Sequence, residues 1–280
     1  MNKNLLSQLT RVSFWLGALR NFVNKDGIDA VTVLAYTSLL GIVPFLAMII
    51  SVLSVTDFFK AKTNEVLDLV LAHVLPSSSP VIEKYFIEFS GHASNLKGMG
   101  IAFIFLTSIL LLWSIDTKIN AMWDKRLKRR FWVSLLHYLS ISLVGPLLLV
   151  GSLFLSSILM AYPLSFLTGY QAVLLDGLPF VINLFGFWFL YHYVPIVKVK
   201  SAAAFIGGLF AALEMEVLKE GFAVYVKWFP TYDLVYGVFS VIPLFLLWLY
   251  LVWMIVIFNA SIVRQLDKSL KTSNNMEENR

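Results

Sequence analysis

Four charged side chains lie inside one stretch of this sequence that is otherwise apolar. The stretch runs from Ser201 to Lys227, and its internal charges are Glu214, Glu216, Lys219 and Glu220. A charge at membrane depth costs several kcal/mol unless it is paired or faces water, so such side chains normally point into a helical bundle or a polar cavity. These residues are therefore the first candidates for chemistry.

The spacing of these charges divides them between two faces of a helix. Glu216 precedes Lys219 by three residues and Glu220 by four, so these side chains share one surface. Small residues such as Gly208 continue that surface and favour close approach of a neighbouring helix. Glu214 points roughly 200° away from Glu216 and needs a different partner. We predict an intramembrane polar stripe made of these four charged residues.

Two interpretations of Glu216 and Lys219 are open. The pair could lock its helix to the neighbours as a buried ion pair, or it could be a protonatable pair that gates a polar path. Lys219 lies about 27 Å along the helix axis from Ser201, nearer the outer surface in the topology given below, so the stripe would open outward. The candidates at that outer mouth are Asp176, Tyr232, Asp233 and Tyr236.

The composition is that of a helical membrane protein. Of the 280 residues, 59% are hydrophobic and 14% are charged, and the mean hydropathy is +0.78. Soluble domains are about 45–50% apolar and about 25% charged. The absence of cysteine excludes disulfides and thiolate metal sites. The four histidines are far apart in sequence, so we predict neither a metal site nor a cofactor.

Six apolar stretches are long enough to form transmembrane helices. About 20 residues are needed to cross about 30 Å of hydrocarbon. The predicted spans are residues 30–55, 99–115, 132–162, 172–194, 201–226 and 238–263, and the second span continues as helix toward Trp123. Pro44, Pro146, Pro179 and Pro243 lie inside spans and predict kinks. The predicted fold class is all-α: a polytopic membrane protein with six transmembrane helices, kinked at prolines, and amphipathic helices at the interface.

The basic residues predict the orientation of these spans. Of the 22 lysines and arginines, 16 lie in segments on one side of the predicted crossings, five lie on the other side, and Lys219 lies within a span. The positive-inside rule places the side richer in basic residues in the cytoplasm. Both termini are therefore predicted to be cytoplasmic.

The predicted transmembrane domain covers residues 29–264, with Asp29 as the N-cap of the first span. Residues 1–28 have apolar side chains at helical spacing and form an amphipathic helix, which either lies on the membrane surface or packs against the cytoplasmic ends of the bundle. Residues 265–280 are predicted to be a disordered tail. The external residues 56–98 are predicted to form two short amphipathic helices, either as a lid or as interface packing.

Two further sets of charged or polar residues lie at the predicted cytoplasmic end of the second span. Asp116, Lys118 and Asn120 could have a functional role, or they could cap the helix and reach the membrane interface. A basic run follows them, which satisfies the topology rule and could also bind anionic lipid headgroups at about 1 kcal/mol per basic residue. The run consists of Lys125, Arg126, Lys128, Arg129 and Arg130.

Several short motifs occur in a characteristic order along the chain. They are Leu34-Ala35-Tyr36, Asn120-x-x-Trp123, Glu216-x-x-Lys219-x-x-Phe222-x-x-Tyr225, and Tyr236-Gly237 followed by Ile242-Pro243-Leu244-Phe245 and Trp248-x-Tyr250. Together they resemble the YihY/BrkB family of bacterial inner-membrane proteins over residues 10–266. The chain departs from this pattern at Asn259-Ala260-Ser261, where many relatives read Gly-Ala-Glu.

The resemblance implies a six-helix, multi-pass protein of the bacterial inner membrane without a settled biochemical activity. Some members are linked to virulence or to traffic of lipidic envelope components. Members were once labelled as a transfer-RNA-processing ribonuclease, but this sequence has no cluster of His and Asp that could hold catalytic metals. We therefore predict neither an enzyme nor a nucleic-acid-binding protein.

The function expected from these observations is binding or translocation of a lipidic or amphipathic component of the cell envelope. Its partners would be membrane lipids, including those with anionic headgroups. The alternative is a membrane scaffold or an assembly partner of an envelope protein, in which the buried charges only fix helix packing.

Overall fold

The computed structural model describes residues 9–53, 98–124, 171–228 and 241–278, and all of its regular structure there is helical. The six helices of this part are α1 (Val12–Asn24), α2 (Gly27–Leu53), α3 (Gly98–Ala121), α4 (Gln171–Tyr193), α5 (Ser201–Trp228) and α6 (Val241–Glu278). The all-α class is thus confirmed for the described residues.

Five of the six predicted spans correspond to helices α2 to α6, whose first residues lie within three positions of the predicted starts. The remaining span, 132–162, lies outside the described residues, as does the external segment 56–97. Within the described part, Ser201–Trp228 and Pro243–Thr272 are long and apolar enough to cross a membrane. The count of six crossings stays a prediction.

Helix α6 is the centre of the described bundle. It packs against each of the other five helices. No charged residue occurs in its sequence from Val241 to Val263, and a helix that is apolar all round is typically buried among others. Its side chains Ile257, Ile262 and Val263 are fully buried and belong to the main core of the bundle.

Small residues allow α5 to approach its two neighbours closely, as the sequence predicted. A Cβ atom at Gly207 would lie 2.0 Å from Cγ2 of Val263 on α6, and one at Gly208 would lie 2.8 Å from the backbone nitrogen of Trp188 on α4. Any larger residue at either position would force the helices apart. The buried small residues of this face are Ala203, Ala204, Gly207, Gly208, Ala211 and Ala212.

The end of α6 differs from the prediction of a disordered tail after residue 264. The helix continues to Glu278, because Leu266, Asp267 and Leu270 are buried against the bundle. The backbone N–H of Lys200 donates to Asp267 Oδ1 at 2.9 Å, and the Lys200 ammonium donates to the carbonyl of Leu270 at 2.9 Å. These bonds join the helical tail to the segment before α5.

Two predicted details of the helices need correction. Helix α2 begins two residues before Asp29, so this carboxylate lies in the first turn instead of capping it and interacts favourably with the helix dipole. Pro243 is the third residue of α6. Backbone N–H groups in the first turn of a helix have no acceptor within that helix, so a proline at this position removes no hydrogen bond and causes no kink. Pro179 does lie inside α4, and Pro44 lies within α2. Pro146 lies outside the described residues.

Helix α1 has two apolar faces, and only one of them meets the bundle. Phe14, Ala18 and Phe22 are buried, and α1 packs against α6 and α2. Two arrangements were considered for residues 1–28, and the contacts of α1 match the one in which this helix packs against the bundle. A second stripe is between 48% and 72% exposed and consists of Val12, Leu16, Leu19 and Val23.

Candidate functional site

Glu214 is held by the neighbouring helix α6. The amide nitrogen Nδ2 of Asn259 donates to Glu214 Oε2 at 2.6 Å and to the carbonyl of Ile255 at 3.0 Å. Glu214 is the fourteenth of the 28 residues of α5, so this contact lies midway along a helix long enough to span a membrane. The spacing of the charges predicted that Glu214 needs a partner other than Lys219, and Asn259 is that partner.

The amide of Asn259 has an unused acceptor. Its side chain is fully buried, and among the described residues its Oδ1 atom has no hydrogen-bond partner. With Glu214 ionised, both groups that contact Nδ2 are acceptors, so this orientation of the amide suits the carboxylate form of Glu214. A buried acceptor without a donor costs about 1–3 kcal/mol. An additional donor at Oδ1 would therefore stabilise this site.

Tyr191 of α4 completes the polar layer around Glu214. Its buried hydroxyl donates to the carbonyl of Val256 on α6 at 3.0 Å, three residues before Asn259. Within the described part of the chain, Glu214 forms no ion pair with a basic side chain. We call Tyr191, Glu214 and Asn259 the central polar cluster, because they join α4, α5 and α6 in the middle of the bundle.

Glu216 and Lys219 pair with each other instead of with a neighbouring helix. Lys219 Nζ lies 2.7 Å from Glu216 Oε1, and the two side chains are 27% and 41% exposed respectively. Glu220, one turn further on, is exposed. Of the four residues of the predicted stripe, the structure thus places Glu214 against α6 and the other three on a partly exposed side of α5.

The surroundings of these three charges on α5 are apolar. Leu213, Val217 and Val224 are 48%, 73% and 54% exposed, and their spacing of four and seven residues places them on one side of the helix. Glu220 falls on the same side, three residues after Val217. We call Leu213, Val217, Glu220 and Val224, with the Glu216–Lys219 pair at its edge, the exposed α5 face.

Asp116 and Asn120 of α3 hold the connection between α4 and α5. Asn120 Oδ1 accepts from the backbone N–H of Ile196 at 2.7 Å, and Nδ2 donates to Asp116 Oδ1 at 2.6 Å and to the carbonyl of Val194 at 3.3 Å. Both side chains are buried, whereas Lys118 is half-buried. The arrangement fits the structural interpretation, because Asn120 satisfies backbone groups that follow the end of α4.

An ionic network joins α1, α6 and the residues after α3, and the sequence did not indicate it. Asp124 pairs with both Lys25 and Arg264. Arg264 also donates to Asn21, and Asn21 donates to Ser261 Oγ at 3.2 Å. These partners are 99 to 243 residues apart in sequence, so no local spacing identifies them.

The remaining predicted residues fall where the structure gives no side-chain geometry. Asp176 belongs to α4. The other outer-mouth candidates and the basic run lie outside the described residues: Tyr232, Asp233, Tyr236, Lys125, Arg126, Lys128, Arg129 and Arg130. Their roles at the outer mouth and in binding anionic lipids stay predictions.

Long apolar helices, close contacts through small residues and polar side chains bonded between helices are together typical of a helical membrane protein. The chain belongs to the family described as virulence factor BrkB, whose family model matches residues 18–280. This confirms the resemblance that the motifs indicated.

Relatives of this chain include proteins named UPF0761 membrane protein. A UPF0761 membrane protein of Cronobacter sakazakii is 35% identical over 252 residues, which cover 89% of this chain and 86% of the relative. One of Pseudoalteromonas translucida is 32% identical, with 86% and 83% covered. One of Alkalilimnicola ehrlichii is 33% identical over 91% of this chain, but the match covers 58% of that longer relative. No solved structure matches the chain.

Proposed function

We propose that this protein binds or translocates a lipidic or amphipathic component of the bacterial cell envelope along the exposed α5 face. The proposed role is not enzymatic, since the sequence offers no nucleophile with an adjacent base. Its proposed location is the inner membrane, with both termini in the cytoplasm, as the distribution of basic residues predicts.

One observation carries this proposal: a partly exposed ion pair that lies beside exposed apolar residues on a helix long and apolar enough to span a membrane. Glu216 and Lys219 satisfy each other within one helix, so they contribute nothing to joining described helices. Intramembrane charges that do not serve packing are normally part of a binding or transport path. An amphipathic molecule would place its apolar part along Val217 and Val224 and its polar group near the pair.

A structural role is the second candidate, and the central polar cluster favours it. The hydrogen bond between Asn259 and Glu214 joins α6 to α5, and Tyr191 joins α4 to α6. Polar contacts between membrane helices typically contribute about 0.6–2 kcal/mol each. A scaffold built on such contacts would need no path for a lipid, and the two functions therefore predict different effects at the exposed α5 face.

Removal of the exposed pair tests the first function. Purified protein is placed in vesicles that contain phosphatidylethanolamine or phosphatidylglycerol with a fluorescent headgroup, and dithionite is added outside to measure how fast inner-leaflet probe becomes accessible. We expect the double variant Glu216→Gln/Lys219→Met to slow this rate by about tenfold, equivalent to about 1.4 kcal/mol of barrier. Binding of the same probes is measured in parallel by native mass spectrometry.

Lys268→Met is the matched control, because Lys268 is exposed on the tail of α6, away from α5. A double variant that moves and binds both probes like the wild type would contradict the proposal. If each single variant is lost from the membrane and the double variant restores the protein together with its rate, the pair has the structural role.

A further inference from the structure

We propose that Glu214 is a proton-binding site of this protein, with the amide of Asn259 as the group that bonds its carboxyl in both charge states. In the proposed step the Glu214 carboxylate takes one proton from a hydronium ion that reaches the site: one O–H bond forms on the carboxyl, one O–H bond breaks in the hydronium ion, and water is released. The inference concerns the central polar cluster and does not depend on a lipid being moved along the exposed α5 face.

Among the described residues, no basic side chain pairs with the carboxylate of Glu214. From α6 the carboxylate receives a hydrogen bond from a neutral amide, Asn259, and on α4 the buried hydroxyl of Tyr191 donates to the carbonyl of Val256. On α5 itself, Glu216 lies roughly 200° around the helix and is already paired with Lys219. An ionised carboxyl at this depth without a basic partner is costly, and protonation removes that cost.

The amide of Asn259 can bond either charge state of the carboxyl. In the arrangement observed, its NH2 group donates to Glu214 Oε2, which suits a carboxylate. Its Oδ1 atom is buried and has no donor among the described residues. After rotation of the amide, Oδ1 can accept the O–H of a protonated Glu214, so uptake of a proton would supply the donor that this atom lacks.

A proton fits this site better than a metal cation. Hard cations need several oxygen ligands arranged around them. Here an NH2 group lies 2.6 Å from Oε2 of Glu214, so a cation bound at that oxygen would face a positive dipole. The described residues also contain no group of three or more His, Cys, Asp or Glu side chains that could hold a metal.

Infrared difference spectroscopy of the whole protein in vesicles tests the proposal. Spectra are recorded from about pH 9 down to about pH 3, a range that spans ordinary and raised carboxyl pKa values. We expect the wild type to gain the C=O band of a protonated, buried carboxyl as the pH falls, and Glu214→Gln to lack this band. Above the midpoint the band should weaken about tenfold for each pH unit, as for a single proton.

Glu220→Gln is the matched control, since Glu220 is exposed on the same helix and its removal should leave the band in place. Asn259→Leu should raise the midpoint, because the carboxylate loses its N–H donor. Identical spectra for the wild type and a folded Glu214→Gln protein would overturn the proposal. It would also be overturned if the Glu214 band titrated at the ordinary glutamate pKa of about 4.3.

Discussion

At the scale of single residues, two glutamates on one helix have different environments. Glu214 contacts α6 through Asn259, whereas Glu216 pairs within α5 and stays half exposed. Two positions along a helix correspond to a turn of roughly 200°, so the two side chains face nearly opposite directions. The first residue belongs to the packing of the bundle, and the second belongs to the exposed α5 face.

Asn120 is the residue whose replacement should destabilise the bundle most clearly. Asn120→Ala removes the acceptor for the N–H of Ile196 and a donor to Asp116, and all of these groups lie in buried or half-buried surroundings. We expect a loss of about 2–3 kcal/mol in the free energy of unfolding. The measurement is unfolding of the purified protein in mixed micelles as the fraction of denaturing detergent rises.

Asn24→Ala is the control for this prediction, because Asn24 is exposed at the end of α1. It should change the free energy of unfolding by no more than about 0.5 kcal/mol, as is usual for surface positions. Equal effects of the two alanine substitutions would show that Asn120 does not support the connection between α4 and α5.

At the scale of elements, the contact between α5 and α6 depends on a position without a side chain. Gly207 faces Val263 so closely that a Cβ atom would overlap it. Gly207 and Glu214 are seven residues apart, so they lie on the same side of α5. The close approach at Gly207 therefore also determines that Glu214 faces Asn259, and the packing of small residues positions the central polar cluster.

Gly207→Ala should destabilise the protein although alanine is the better helix former. The added methyl group would overlap Cγ2 of Val263, and overpacking of this kind typically costs about 1–3 kcal/mol. Gly221→Ala is the matched change on the same helix, where a Cβ atom meets nothing within 4 Å. It should stabilise the protein by up to about 1 kcal/mol.

A second substitution distinguishes overlap from other causes. Val263→Ala removes the atom that the new methyl group meets, so Gly207→Ala/Val263→Ala should recover part of the stability lost by Gly207→Ala alone. All variants are compared by the same detergent-unfolding measurement. No recovery, or equal behaviour of Gly207→Ala and Gly221→Ala, would contradict the proposed packing.

At the scale of the whole molecule, α6 organises the described helices and α1 extends the bundle sideways. The face of α1 that is not packed on α6 exposes Leu16 and Leu19. Apolar side chains on an amphipathic helix at the end of a membrane bundle suit the boundary between headgroups and acyl chains. We predict from this arrangement that α1, while packed on the bundle, also lies along one membrane surface, and the basic residues predict that this surface is cytoplasmic.

Cysteine labelling tests that orientation cleanly, because the chain has no cysteine of its own. A membrane-impermeant maleimide added to intact spheroplasts should label Ser78→Cys, in the predicted external segment. It should label Ser13→Cys on α1 only after the membrane is permeabilised. Labelling of both variants after permeabilisation is the control, and the opposite pattern in intact spheroplasts would reverse the predicted topology.

Much of the architecture was predictable because hydropathy acts locally. A run of apolar residues is excluded from water wherever it lies in the chain, so helices α2 to α6 begin close to their predicted starts. The tail after residue 264 was harder to predict, since its helix depends on Asp267 meeting Lys200, which is 67 residues earlier in the chain. The ionic network around Asp124 escaped prediction for the same reason.

By itself, the sequence determined that this is a helical membrane protein with charges in its fifth span, because composition and spacing depend only on neighbouring residues. Only the tertiary structure decided that, among the described helices, Glu214 bonds to a neighbour whereas Glu216 pairs within α5. The rotation of α5 about its own axis selects Glu214, and this rotation follows from where Gly207 and Gly208 allow α6 and α4 to approach. Such contacts join residues distant in sequence, which no local pattern can specify.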